Sequence, residues 1–95
     1  MSMKKLDVAV FSEYNVPAYM QQGLLDWINH GILPGSFLTA VLENNLMEAV
    51  GRADSTNSMR LKDYAQFLYN GAPADCHGSK EKVAAWARRF ETAAA

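Results

Sequence analysis

Between His30 and Asn45 the chain reads HGILPGSFLTAVLENN, and its punctuation limits every fold open to it. Gly31 supplies the left-handed residue that commonly ends a helix, and Pro34 blocks continuation. Ser36 follows the Pro-Gly turn as a cap for the next helix. Asn44 and Asn45 are poor helix-interior residues and good caps, so that helix also ends within a few turns. A long uninterrupted helix is excluded here, and short antiparallel helices are expected on both sides.

Apolar spacing on either side of the punctuation agrees. Val16, Met20, Leu24, Trp27 and Ile28 recur at intervals of three and four, which draws one stripe along a first helix. Asn15 stands ahead of it as a cap, Pro17 suits its first turn, and His30 sits in its last turn, where positive charge is favoured. Phe37, Leu38, Val41 and Leu42 form the stripe of the second helix, with Ala40 between them. Asn45 and Glu48 stand in the Asn-x-x-Glu relation of a capping box, opening a third helix over Leu46, Ala49, Val50 and Ala53. Gly51 weakens that helix or lets another backbone approach. ADSTNSM is a cluster of capping residues within which a fourth helix starts, carrying Leu61, Tyr64, Ala65 and Leu68 and stopping at Asn70 and Gly71. After the loop GAPADCHGS, Ser79 caps a last helix bearing Val83, Trp86, Ala87 and Phe90.

Residues 1–14 show no helix period. Leu6, Val8 and Val10 alternate with Asp7 and Ala9, as in an ordered arm or a short edge strand. The expected architecture is therefore all-α: a compact single-domain bundle of four to five short helices over residues 15–95, preceded by that arm or strand.

Composition narrows the function. Nine Lys and Arg against ten Asp and Glu leave a formal charge of −1, without the basic stripe of a nucleic-acid binder. The single cysteine, Cys76, excludes an internal disulfide framework. Asp7 and Ser12 interrupt the apolar start, so neither a signal peptide nor a membrane span is expected, and a cytosolic location fits. Cys76, His77 and His30 do not make the paired ligand spacing of structural zinc, and no cofactor is expected. Adjacent Cys76 and His77 rarely align as nucleophile and base, and no Gly-x-Ser-x-Gly elbow occurs. Asp26, Glu43, Glu48 and Asp54 read as surface charges, and the Pro-Gly-Ser turn lacks a P-loop lysine. No catalytic or metal-ligating residue is expected. A helix-turn-helix reading fails because NLMEAVGRA offers only Arg52 to base edges.

What remains is a polar and aromatic set: Asn44, Asn45, Arg52, Asp54 and Asn57, with Tyr64, Tyr69 and Trp86. Arginine and aromatic residues anchor protein interfaces, and the same set stacks a base and clasps a phosphate. Against this stands a plain structural role, in which Arg52 and Asp54 join two helices and the asparagines cap.

The segments HGILPGSFLTAVLENNLMEAVGRADSTN and YAQFLYNGAPADCHGSKEKVAAWARR resemble a widespread family of small phage and prophage proteins, over about residues 16 to 89. The likeness rests on His-Gly-Ile-x-Pro-Gly-x-Phe-Leu, the asparagine break, Arg-Ala-Asp, Leu-Tyr-Asn and Gly-Ser-x-Glu-Lys-Val. Relatives often carry Trp where this chain has His77. The resemblance implies a viral origin and an accessory role in the cytoplasm of a bacterial host, and it carries over no catalytic residue. The leading expectation is a non-enzymatic anti-defence or host-takeover inhibitor that binds a host protein. The alternatives are an oligomeric sponge for a nucleotide immune signal and a DNA-binding phage regulator. A homo-oligomer would bury more apolar surface than so short a chain can alone.

Overall fold

The computed structural model describes the backbone of residues 5–94 and the side chains of residues 5–91. Among the described residues the chain is all-α, with no strand. The helices are α1 (Ala18–His30), α2 (Ser36–Leu42), α3 (Leu46–Arg52), α4 (Ser55–Ser58), α5 (Leu61–Gly71) and α6 (Lys80–Ala94). Two 3-10 turns, Val8–Phe11 and Ala74–Cys76, complete the regular structure. None of these helices is long and apolar enough to cross a membrane.

α1 is the central element, with Leu24, Leu25, Trp27 and Ile28 all buried. It ends as its sequence requires: Gly31 has φ 69°, and its N–H bonds the Trp27 carbonyl at 2.9 Å. The Trp27 indole N–H donates to the Cys76 carbonyl at 2.9 Å, and the Trp86 indole N–H donates to the Trp27 carbonyl at 3.1 Å. Both rings fill the core with Tyr64 and Phe67. Val83 and Trp86 face inward from α6, and Ser79 caps that helix by accepting from the Lys82 N–H at 3.1 Å.

Residues 5–14 form no strand. Asp7 caps the Val8–Phe11 turn by accepting from the Ala9 N–H at 2.9 Å. Asn29 of α1 grips Leu6 on both sides, accepting from its N–H at 2.9 Å and donating to its carbonyl at 2.7 Å. A side-chain amide thus satisfies the backbone groups that a neighbouring strand would have paired. Phe11 then packs on Phe67, with ring centroids 4.6 Å apart. Residues 1–4 of the expected arm lie outside the described residues.

Other local expectations are corrected. Asn15 does not cap α1, whose N-cap is Pro17 with no side-chain bond. Ser36 is the first residue of α2 rather than its cap; Gly35 holds that position, and the Thr39 hydroxyl ties the turn by donating to the Pro34 carbonyl at 3.0 Å. The fourth helix is two, which raises the total to six α-helices among the described residues. Asp54 caps the first piece, and Arg60, at φ −114° and ψ 12°, separates it from α5. In α3 only Ala49 is buried, while Leu46 and Val50 are exposed. The helix is two turns long and has a single small residue against the core, so its larger apolar side chains are left outside.

Gly31 yields a direct test. An added Cβ would strike the Phe90 ring, at a φ that L-residues rarely adopt. Gly31→Ala is expected to destabilise the protein by about 1–3 kcal/mol, read as a lowered melting temperature with the helical circular dichroism of the folded state retained.

Candidate functional site

The eight polar and aromatic residues singled out from the sequence divide into four groups. Asn44, Asn45 and Tyr69 line one cleft. Asp54, Asn57 and Tyr64 join a hydrogen-bond network with Tyr19. Arg52 pairs with Glu48 on the outer flank of α3. Trp86 belongs to the core, 1% exposed, with its indole N–H used on the Trp27 carbonyl.

The cleft arises from the break between α2 and α3. Asn44 takes φ 60°, a left-handed conformation that asparagine tolerates better than most residues. Its neighbour Asn45 donates its N–H to the Ala40 carbonyl at 2.9 Å and caps α3 through its side chain, which accepts from the Glu48 N–H at 3.3 Å. The chain therefore turns back sharply, and α2 and α3 form one wall with Ala40, Val41, Leu46 and Ala49. Leu61, Ala65, Leu68 and Tyr69 of α5 form the other wall, and His77 and Gly78 close the end. The Gly78 N–H bonds the Leu42 carbonyl at 2.8 Å, fastening that end to α2. The enclosed volume is about 340 Å³, and the lining contains no Lys, Arg, Asp or Glu.

Apolar side chains stand exposed around it. Leu46 is 65% exposed, Met47 80%, Val50 48% and Tyr69 86%. A helix period alone could not find this surface, because the spacing of Leu46 and Val50 is the same as that of a buried stripe.

His77 was discounted in the sequence as a loop residue, and the structure places it in the cleft lining. Its Nε2 is shielded from solvent and has no hydrogen-bond partner among the described residues. Burial holds its pKa below the ordinary 6.5, and the nearby Lys82 charge acts the same way against a bond with the Leu68 backbone. The ring is therefore neutral at pH 7. No signal in the sequence marked it.

The second group is a structural knot. Asp54 accepts from the Asn57 N–H at 2.7 Å and from the Tyr19 hydroxyl at 2.7 Å. The Asn57 backbone bond, followed by the Tyr19 hydroxyl, holds the Asp54 carboxyl below its usual range. Asn57 is the one buried polar side chain among the described residues, and its amide oxygen accepts from the buried Tyr64 hydroxyl. Burial raises the Tyr64 pKa, so the phenol stays a donor. Tyr19, absent from the expected set, is what links α1 to α4.

Arg52 does not join Asp54. Its Nε contacts Glu48 Oε1 at 2.9 Å, with both side chains about half exposed. Cys76 is fully buried, and burial pushes its thiol up to about 12, so it is not a thiolate nucleophile at neutral pH. Among the described residues no three of His, Cys, Asp and Glu gather as a metal site. A second cleft, of about 370 Å³, lies between α1 and the start of α2 and includes Tyr19, Gly23, Pro34 and Phe37. In comparisons with known proteins, the chain matches no family model, no curated protein and no solved structure.

Two outcomes follow from this geometry. Tyr64→Phe strands the buried Asn57 oxygen and is expected to cost about 1–3 kcal/mol in chemical denaturation. For His77 the folded pKa lies below the unfolded one, so the unfolded chain binds more protons below pH 6.5. Stability is thus full above that pH and is lost as pH falls through the folded pKa. His77→Gln should make the melting temperature less sensitive to pH below about 6.5.

Proposed function

We infer that this chain is a small phage-type accessory protein, without a reaction of its own, that inhibits a bacterial host protein by docking on it. The observation that carries this reading is the uncharged cleft between α2–α3 and α5, bordered by the exposed Leu46, Met47, Val50 and Tyr69. Contiguous apolar surface on a small protein marks an interaction site, and aromatic and methionine side chains are favoured at interface centres. A core this small gains nothing from leaving such groups in water, and a partner that covers them does.

The cleft supports a protein partner better than a nucleotide. A phosphate is held by cations or convergent N–H groups, and no lysine or arginine is among the lining residues. Arg52 stands outside the lining and is paired with Glu48. A duplex-reading role finds as little support, since the exposed part of α3 is apolar apart from that ion pair. The viral origin, the host cytoplasm as workplace and the anti-defence role rest on the sequence resemblance.

Ala65 is exposed on α5 and lines the cleft, so it tolerates a larger side chain without disturbing the core. With the chain immobilised as bait in lysate of a susceptible bacterium, the wild type should retain a specific host protein. Ala65→Arg should lose it while keeping the wild-type melting temperature within a few degrees. Equal retention by both proteins, or by neither, would overturn the reading. Arg52→Ala should change stability by at most about 1 kcal/mol in the same melting assay.

A further inference from the structure

Gly51 has no explanation within the chain. It lies inside α3, its φ is not in the left-handed region, and an added Cβ would meet nothing within 4 Å among the described residues. Glycine there weakens the helix relative to alanine without relieving any internal contact. At 3.6 residues per turn Gly51 is roughly opposite the buried Ala49, so it marks the middle of the outward surface of α3. On one side of it lie the apolar Met47, Val50 and Leu46, all exposed. On the other lie Glu48 and Arg52, one turn apart and paired at 2.9 Å.

We propose that α3 packs antiparallel against α3 of a second copy, with the two Gly51 residues at the crossing. The choice of partner follows from symmetry and charge. In an antiparallel pair, a two-fold axis perpendicular to the helices sets each flank against the same flank of the other copy, reversed in direction. Glu48 then faces the partner's Arg52, and Arg52 faces the partner's Glu48, giving an alternating cluster of four charges. The apolar flanks meet on the other side, with Val50 against its own counterpart near the axis and Leu46 of each copy at the two ends of the contact. A parallel pair would instead oppose the charged flank to the apolar one, leaving charges unpaired over buried methyl groups. Gly51 lets the two backbones approach closely enough for these short flanks to touch. Leu46 also lines the cleft, so the two clefts open on the same side of the dimer; the second copy takes Val50, and the α5 wall with Ala65 and Tyr69 remains for the host protein. A seven-residue helix gives a contact smaller than a standard interface, so the dimer is expected to be weak.

Sedimentation equilibrium of the purified chain tests this without a host partner, so its result stands apart from the docking proposal. The wild type should pass from monomer to dimer as its concentration rises through the micromolar range. E48R carries only positive charge on the flank and R52E only negative, so each alone should be monomeric where the wild type is dimeric. An equimolar mixture of the two should restore the dimer, which also shows that both variants are folded. Gly51→Ala should weaken the dimer several-fold while raising the melting temperature of the monomer. A wild type that stays monomeric throughout, a dimer indifferent to these substitutions, or a mixture that fails to associate would each overturn the proposal.

Discussion

Two indole N–H groups set the geometry on which the rest of the molecule depends. Trp86 donates to the Trp27 carbonyl and Trp27 donates to the Cys76 carbonyl, so α6, α1 and the 74–76 turn are joined in series inside the core. Each bond satisfies a polar group that would be costly to bury alone. Because Cys76 is held this way, His77 and Gly78 are fixed next to it, and the Gly78 N–H reaches the Leu42 carbonyl at the end of α2. Gly78 makes that reach at φ 122°, where a side chain would be strained. The end of the cleft is therefore built from the core outward. A change at either tryptophan would be felt at α2 and α3.

Hydrogen bonds also explain why the polar residues do not form one site. Asp54 caps α4 and holds Tyr19, and Asn57 holds Tyr64. These groups are consumed in joining helices that are too short to stand alone. Arg52, two residues before Asp54, stays outside this network and on the outer flank of α3. What is left around the cleft is mainly apolar, with Asn44, Asn45 and Tyr69 at its edges. The exposed apolar surface is thus defined by what the fold does not use.

Local signals were legible in the sequence, and the contacts between elements were not. Gly31, Asn45 and Ser79 act at their helix ends as their chemistry requires, because a cap involves only its own few neighbours. The α6 stripe likewise reads correctly, since Val83 and Trp86 are buried and Trp86 reaches the Trp27 carbonyl of α1. Leu46 and Val50 have the same spacing and stay exposed, because periodicity gives the direction of a face and not whether anything covers it. Asn57 and Trp86 were plausible binding residues by type, and only the positions of Tyr64 and Trp27 turn them inward. The alternation at Leu6, Val8 and Val10 suggested a strand, yet Asn29 takes the backbone bonds instead. His77 carried no mark, as its place in the cleft comes from the loop packing beside Leu68 of α5.

The central claim is that the α2–α3 and α5 surface meets a host protein. Site-specific photo-crosslinking in living host cells tests it most directly, with the crosslinker placed in turn at Tyr69 and at Tyr19. Tyr69 lines the proposed docking cleft, and Tyr19 lines the other one. The account predicts a crosslinked host protein from position 69 and none from position 19. Crosslinking from position 19 alone, or from neither position, would contradict it.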